Sequence, residues 1–129
     1  MAKIERFEDL VAWQRGHELT KALYQVTGNG RFARDRDLRG QMRRAAVSVP
    51  SNIAEGVERG GDKEFRQFLA QAKGSTGEIR SQLYIAMDIE LITQTQFDHL
   101  YKLATNVARI LGGLMRYLKK SKLQGSKYR

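Results

Sequence analysis

The sequence predicts an all-α protein that folds as an up-down antiparallel four-helix bundle. Apolar residues recur every three or four positions over four long segments, proline occurs once in 129 residues, and two glycine-rich clusters interrupt the pattern. Because the connections are short, consecutive helices are expected to pack antiparallel around one core. We assign residues 1–121 to this bundle and residues 122–129 to a basic, disordered tail.

The first predicted helix runs from about Asp9 to Val26. Its apolar and small residues on one stripe are Ala12, Gly16, Leu19, Leu23 and Val26. The cluster Thr27-Gly28-Asn29-Gly30 follows, and two glycines make a continued helix costly there. The helix is therefore expected to end before this cluster.

The second predicted helix begins near Asp35 and runs to about Glu58. The Asp35 carboxylate can cap free amide groups and complements the positive end of the helix dipole. The residues expected to face the core are Leu38, Met42, Ala45, Val49 and Ile53.

The only proline, Pro50, stands inside this second helix. Proline removes a backbone donor and crowds the carbonyl one turn earlier, so we expect a kink that interrupts the helix between Val47 and Asn52. Asn52 and Glu55 are expected to satisfy backbone groups that Pro50 frees. Gly56 is the expected end of the restarted turn.

Two more helices complete the bundle. The third is expected to have Asp62 as its N-cap and to run from Lys63 to about Leu91, with its stripe formed by Phe65, Leu69, Ala72, Thr76, Ile79, Leu83 and Ala86. Gly74 and Gly77 inside it indicate a close approach between helices.

Thr93-x-x-Gln96 matches a capping box and opens the fourth helix. The seam of that helix comprises Leu100, Ala104, Val107, Leu111, Leu114 and Leu118.

Apolar residues outside these stripes exceed what a monomeric bundle needs. They lie on the third helix and on the fourth, namely Tyr84, Ile85, Ile89, Ile92, Leu103, Ile110 and Tyr117. A single bundle buries one face per helix. The wider faces favour a homo-oligomer over a wide intramolecular core.

The sequence contains few residues that support catalysis or metal binding. There is no cysteine, the two histidines lie on different predicted helices, and no phosphate-binding glycine motif occurs. We therefore predict no enzyme, no cofactor and no metal site. No apolar run approaches the roughly twenty residues of a membrane span, and the amino terminus has no signal-like core. A cytoplasmic protein is expected.

The charge of the chain points to a polyanionic partner. There are 23 Lys and Arg residues against 14 acidic ones, which gives a net charge of +9. From Tyr101 onwards the sequence contains basic residues and no acid. Nucleic acid is the expected partner, and a solvated basic face that only aids solubility is the alternative.

The fourth predicted helix contains the candidate binding residues. Lys102, Arg109 and Arg116 are spaced by seven and share one face. The same face continues through Lys119, Lys120 and Lys122. Such a row can contact phosphates without recognising bases. No aromatic residues alternate with it apart from Tyr101, Tyr117 and Tyr128, so base stacking in the manner of single-strand binders is poorly supported.

Arg43 and Arg44 on the second helix are further candidates, with two interpretations. They can form ion pairs with Glu55, Glu64 or Glu78, or they can contact phosphates through their guanidinium groups.

The stretch GQMRRAAVSVPSNIAEG resembles the 23S ribosomal RNA intervening-sequence protein family. FEDL and AWQ upstream, and KEFRQFL and AKGS downstream, extend the resemblance over roughly residues 7–118. It implies a four-helix bundle that assembles into a homopentamer and has no known catalytic activity. Distant relatives include the accessory variability protein of diversity-generating retroelements, which binds nucleic acid and a reverse transcriptase. The alternative function is therefore a protein-interaction scaffold that recruits an enzyme such as a reverse transcriptase.

Overall fold

The computed structural model describes the backbone of residues 4–125 and the side chains of residues 4–120. A 3-10 turn at Phe7–Asp9 precedes the helices α1 (Val11–Thr27), α2 (Gly30–Arg34), α3 (Arg36–Arg59), α4 (Asp62–Asp88) and α5 (Gln94–Gly125). Residues 4–125 contain no strand, and the long helices pack antiparallel. The predicted all-α bundle is confirmed, and α1, α3, α4 and α5 are its four predicted helices.

The order of the helices around the bundle determines which surfaces meet. Both α1 and α4 pack against α3 and against α5. In the described part of the chain, α3 and α5 are not adjacent, so they lie diagonally opposite. Basic residues on the outer sides of α3 and α5 therefore face different sides of the molecule.

The core consists mainly of the predicted stripes, and it also contains Phe32, Ala46 and Ile92. Every predicted core residue of α3 and α4 is buried, including Val49 and Ile53 on either side of Pro50. Val26 in α1 and Leu114 in α5 are only partly buried. The stripe predictions are confirmed because one face of each long helix has to supply the core of a bundle.

The short helix α2 was not expected. It occupies part of the segment between the first two predicted helices and buries Phe32, which is 1% exposed. Five residues are too few to show a helical period, so the sequence pattern does not reveal it.

The predicted N-terminal caps of α3 and α5 are confirmed. The Leu38 amide donates to Asp35 Oδ1 over 3.1 Å. At α5, the Gln96 amide donates to Thr93 Oγ1 over 3.1 Å and the Thr93 amide donates to Gln96 Oε1 over 2.9 Å. These are the two reciprocal bonds of a capping box.

The connection between α3 and α4 differs from the prediction in two ways. α3 ends at Arg59, one residue beyond the predicted Glu58, and its C-cap is Gly60, whose φ of 82° is left-handed, so Gly56 does not end a turn. Gly56 is buried inside the helix, where a Cβ would lie 2.8 Å from Cδ1 of Phe65. The N-cap of α4 is Gly61, and Asp62 is the first helical residue. Gly56 thus permits close packing of α3 against α4 instead of ending a helix.

α3 continues without interruption through Pro50, so the expected interruption between Val47 and Asn52 is wrong. The carbonyl that Pro50 deprives of a donor is that of Ala46, and the Thr20 hydroxyl of α1 lies 2.9 Å from that carbonyl oxygen. Thr20 is thus placed to satisfy the freed carbonyl.

Asn52 and Glu55 do not take the predicted roles beside Pro50. Asn52 Nδ2 donates to the Ser48 carbonyl over 2.7 Å, which is not the carbonyl that Pro50 frees. Glu55 forms an exposed ion pair with Arg59, at 3.8 Å. The compensation for Pro50 comes from a neighbouring helix, and not from the next turn of the same helix.

Gly74 and Gly77 do not mark a close approach within one chain. Gly74 is exposed, and a Cβ on it would have no atom within 4 Å. A Cβ on Gly77 would meet only the end of the Arg80 side chain, at 3.6 Å. The predicted explanation of these two glycines is wrong for the single bundle.

Candidate nucleic-acid interface

The outer face of α5 contains most of the predicted binding residues. Lys102, Arg109, Arg116, Lys119 and Lys120 are all exposed. The helix backbone extends to Gly125 and so includes residues 122–125 of the predicted tail, whereas the side chain of Lys122 and all of residues 126–129 lie outside what the structure describes.

The first half of this face is mixed in charge. Lys102 and Arg109 line a shallow groove together with Asp98, His99 and Asn106. The Asp98 carboxylate accepts a hydrogen bond from Gln94 Nε2 over 2.8 Å. A carboxylate beside Lys102 weakens the attraction of this part of the face for phosphate.

The second half of the face meets further cations from α4. Arg116 and Lys119 of α5 line a groove between the two helices with Arg66 and Lys73 of α4. We call these four residues and the space between them the basic groove. Its volume is about 280 Å³. The structure thus unites two predicted residues with two that the sequence analysis missed.

The head groups in the basic groove come close together over Gly112. A Cβ on Gly112 would lie 3.4 Å from Arg116 Nη1 and 3.8 Å from Lys73 Nζ. The separation of these two nitrogens therefore cannot exceed the sum of the two distances. Because both groups are cationic at neutral pH, they repel each other unless an anion lies between them.

Within the described part of the chain, no carboxylate lies within 4.0 Å of the charged nitrogens of these four residues. The ion pairs found among the described residues involve Arg6, Arg15 and Arg59 instead. Arg66 Nε is buried and lacks a hydrogen-bond partner among the described groups. Since buried donors are nearly always paired, this atom is an unusual feature of the groove.

The α4 residues of the basic groove show a pattern that could have revealed them. Arg66, Lys73 and Arg80 are spaced by seven residues, as are Lys102, Arg109 and Arg116. Each set therefore lies on one face of its helix. Only the pairing of α4 with α5 shows that part of each row faces the same groove.

Arg43 serves the packing of α3 against the end of α1. Its Nε donates to Thr27 Oγ1 over 2.9 Å and its Nη2 donates to the Tyr24 carbonyl over 3.2 Å. Its guanidinium also lies 4.2 Å from the centre of the Tyr24 ring. A cation that bonds carbonyls in the last turn of a helix complements the helix dipole.

The expected ion pairs of Arg43 and Arg44 with Glu55, Glu64 or Glu78 do not occur in the described structure. Arg44 is exposed and lines a shallow groove with Ser51 and Asn52. Since α3 is diagonal to α5, this pair does not extend the α5 surface.

An apolar patch is exposed near the end of α4. Tyr84 is 54% exposed, Ile85 48% and Ile89 45%. The Tyr84 ring packs edge-on against Phe97, with the ring centres 5.1 Å apart, and Phe97 stacks on Tyr101. We call Tyr84, Ile85 and Ile89 the apolar patch. Its residues are part of the apolar surplus seen in the sequence.

The described residues were also compared with what a metal site and a membrane-spanning helix require. They include no group of three or more His, Cys, Asp or Glu side chains placed to hold a metal ion. His17 packs against the Trp13 ring, with the ring centres 4.9 Å apart. None of the described helices combines the length and the apolar character needed to cross a membrane.

Comparison with known proteins identifies the family. A crystal structure of a protein of unknown function from the S23 ribosomal protein family of Bacteroides thetaiotaomicron superposes with a TM-score of 0.75 at 19% identity, covering 81% of this chain and 98% of that one. At this identity the likeness concerns the fold. A comparison with curated proteins gave no match. The sequence model of the 23S rRNA-intervening sequence proteins matches residues 8–113. The chain therefore belongs to the 23S rRNA-intervening sequence protein family.

Proposed function

We propose that this protein is a non-enzymatic helical bundle that binds nucleic acid, RNA or DNA, through the basic side chains of α5. The observation that carries the proposal is the basic groove, where Arg116 and Lys119 of α5 meet Arg66 and Lys73 of α4 without a carboxylate within 4.0 Å in the described structure. A polyanion is the partner that relieves repulsion among such cations.

The composition of the surface favours contacts with the phosphate backbone. Exposed arginines and lysines provide charge-assisted donors, and guanidinium groups match the oxygens of phosphate. Apart from Tyr101 and Tyr117, no aromatic side chains alternate with the basic residues of α5 that the structure describes. Binding is therefore expected to depend on salt and to show little sequence preference.

A salt-titrated binding assay with RNA, duplex DNA and single-stranded DNA tests this function. In the test variant, Arg109, Arg116, Lys119 and Lys120 are replaced by glutamine. Its affinity for polyanions should fall, and the slope of log affinity against log salt should decrease by about 0.7–0.9 for each phosphate that the variant no longer neutralises. Folding should be unaffected, because exposed charges contribute little to stability.

A matched control removes four exposed cations from other surfaces, by replacing Lys21, Arg31, Arg34 and Arg36 with glutamine. It has the same net charge as the test variant, so it separates a local site from a general charge effect.

An Arg43/Arg44 glutamine variant should lose stability, because Arg43 bonds the end of α1. If the α5 variant binds as well as the parent protein, the site is misplaced, and if the parent does not bind, the function is wrong.

The apolar patch supports a second proposal, which is that the protein is a homo-oligomer, in particular a pentamer. Three neighbouring apolar side chains at the end of α4 are about half exposed. Exposed apolar clusters commonly mark contacts with other protein surfaces. If several copies assemble, the basic surfaces repeat and polyanion affinity rises through multivalency. The same assembly could present a surface that recruits an enzyme such as a reverse transcriptase.

Light scattering at low micromolar concentration measures the assembly. A mass several times 14.7 kDa is expected, and the variant Ile85→Ser/Ile89→Ser should shift it towards the monomer. A parent mass near 14.7 kDa would refute the oligomer. A parent that oligomerises but binds no nucleic acid would favour the scaffold function.

A further inference from the structure

We infer that the basic groove holds one phosphate group of the bound backbone. Arg66 and Lys73 of α4 contribute as much to binding this phosphate as Arg116 and Lys119 of α5 do. This inference deepens the proposed function and rests on it. It assigns a defined site to part of a surface that otherwise acts only by its overall charge.

The arrangement around Gly112 is the first argument. Arg116 Nη1 and Lys73 Nζ both approach within 4 Å of the position where a side chain would begin at Gly112. Gly112 is buried, so the two cations converge over helix backbone without an intervening side chain. A phosphate has several acceptor oxygens and forms charge-assisted bonds of about 2.7–2.9 Å, so one group can bridge two cations at this separation.

The buried Nε of Arg66 is the second argument. Within the described structure it has no hydrogen-bond partner, although it lies in a side chain that lines the groove. A guanidinium group can donate through Nε and one terminal nitrogen to two oxygens of the same phosphate. Because this Nε is closed to solvent, the Arg66 side chain has to turn towards the groove before a phosphate there can supply the missing acceptor.

The remaining lining adds no further group that recognises bases. Besides the four cations, the groove is lined by Gly112 and Met115. Neither side chain offers the amide or carboxylate groups that recognise base edges. Arginine and lysine also bind guanine edges, so the expected preference for the backbone comes from the cluster of positive charge and not from an exclusion of bases.

Inorganic phosphate is the first probe, with the melting temperature as readout at constant ionic strength adjusted with chloride. The parent should show a saturable rise in melting temperature, as for any ligand that binds only the folded state. In Arg66→Gln/Lys73→Gln, half-saturation should require at least roughly tenfold more phosphate. The control Lys21→Gln/Arg34→Gln removes one lysine and one arginine from exposed positions elsewhere and should behave as the parent.

Lys73→Gln alone guards against a folding defect, because Lys73 is exposed whereas Arg66 is partly buried. It should weaken the phosphate response with no change in the melting temperature measured in chloride. An equal phosphate response in the parent, the control and both groove variants would overturn the inference, since phosphate also stabilises proteins by general exclusion from their surfaces.

RNA binding is the second probe, and it separates the groove from the proposed function. Arg66→Gln/Lys73→Gln should reduce the salt slope by about 0.7–0.9 for the one phosphate that the groove neutralises, and the control should not. If RNA binds the parent and both double variants equally, the groove inference fails while the proposed function stands. If no nucleic acid binds but the groove-specific response to inorganic phosphate is seen, the proposed function fails while the groove remains an anion site.

Discussion

The contact between Thr20 and the Ala46 carbonyl gives a quantitative test of how this bundle accommodates a proline inside a helix. Pro50 has no N–H, so the Ala46 carbonyl lacks its helical donor. The Thr20 hydroxyl lies 2.9 Å from that oxygen and equally far from the Gly16 carbonyl, so its single hydrogen is shared between them. Gly16 O also has the Thr20 amide as its regular helical donor. The Ala46 carbonyl therefore depends more on the hydroxyl.

Thr20→Val removes the hydroxyl and keeps the shape of the side chain. Ala46 is fully buried, so its carbonyl loses a donor without gaining water. We expect the free energy of unfolding to fall by about 1–3 kcal/mol. In a Pro50→Ala background, the new amide at residue 50 can donate to the Ala46 carbonyl, so the same substitution should cost less. The expected coupling energy is about 1–2 kcal/mol.

Urea denaturation of the parent, both single variants and the double variant measures this coupling, provided that the dependence on denaturant is the same in all four. Thr76→Val is the matched control, because the Thr76 hydroxyl donates to Lys73 O within its own helix, over 2.6 Å. Its effect should add to that of Pro50→Ala. A Thr20→Val effect that is equally large with and without Pro50 would refute the proposed role of Thr20.

Pro50 also shows why the sequence predicted the stripe of α3 but not its continuity. Helical periodicity identifies the face that is buried, and Val49 and Ile53 are both buried as predicted. The donor that compensates for Pro50 lies on Thr20, which is 26 residues away from Ala46 in the sequence. A pattern within one segment contains no information about a donor on another helix, so it overstates the disruption.

The sequence pattern likewise predicts one part of the basic groove and not the other. The spacing of Arg109 and Arg116 correctly places both on the exposed surface of α5. The meeting of Arg116 and Lys119 with Arg66 and Lys73 depends on how α4 and α5 are aligned. That alignment follows from the packing of the whole core and cannot be obtained from the period of either helix.

Two glycine substitutions compare a packed position with an exposed one. Gly56→Ala should destabilise the protein by about 1–3 kcal/mol, because its Cβ would lie 2.8 Å from Phe65 Cδ1 and 3.0 Å from Phe68 Cβ; urea denaturation measures this cost. Gly74→Ala should instead stabilise it by about 0.5–1 kcal/mol, since the position is helical, exposed and open. Light scattering should show the same mass for Gly74→Ala as for the parent. A smaller mass would contradict this expectation and would place Gly74 at a contact between copies, where a helix tolerates a glycine because a neighbouring backbone approaches it. An unchanged mass with higher stability would show that the surface around Gly74 stays free in the assembly.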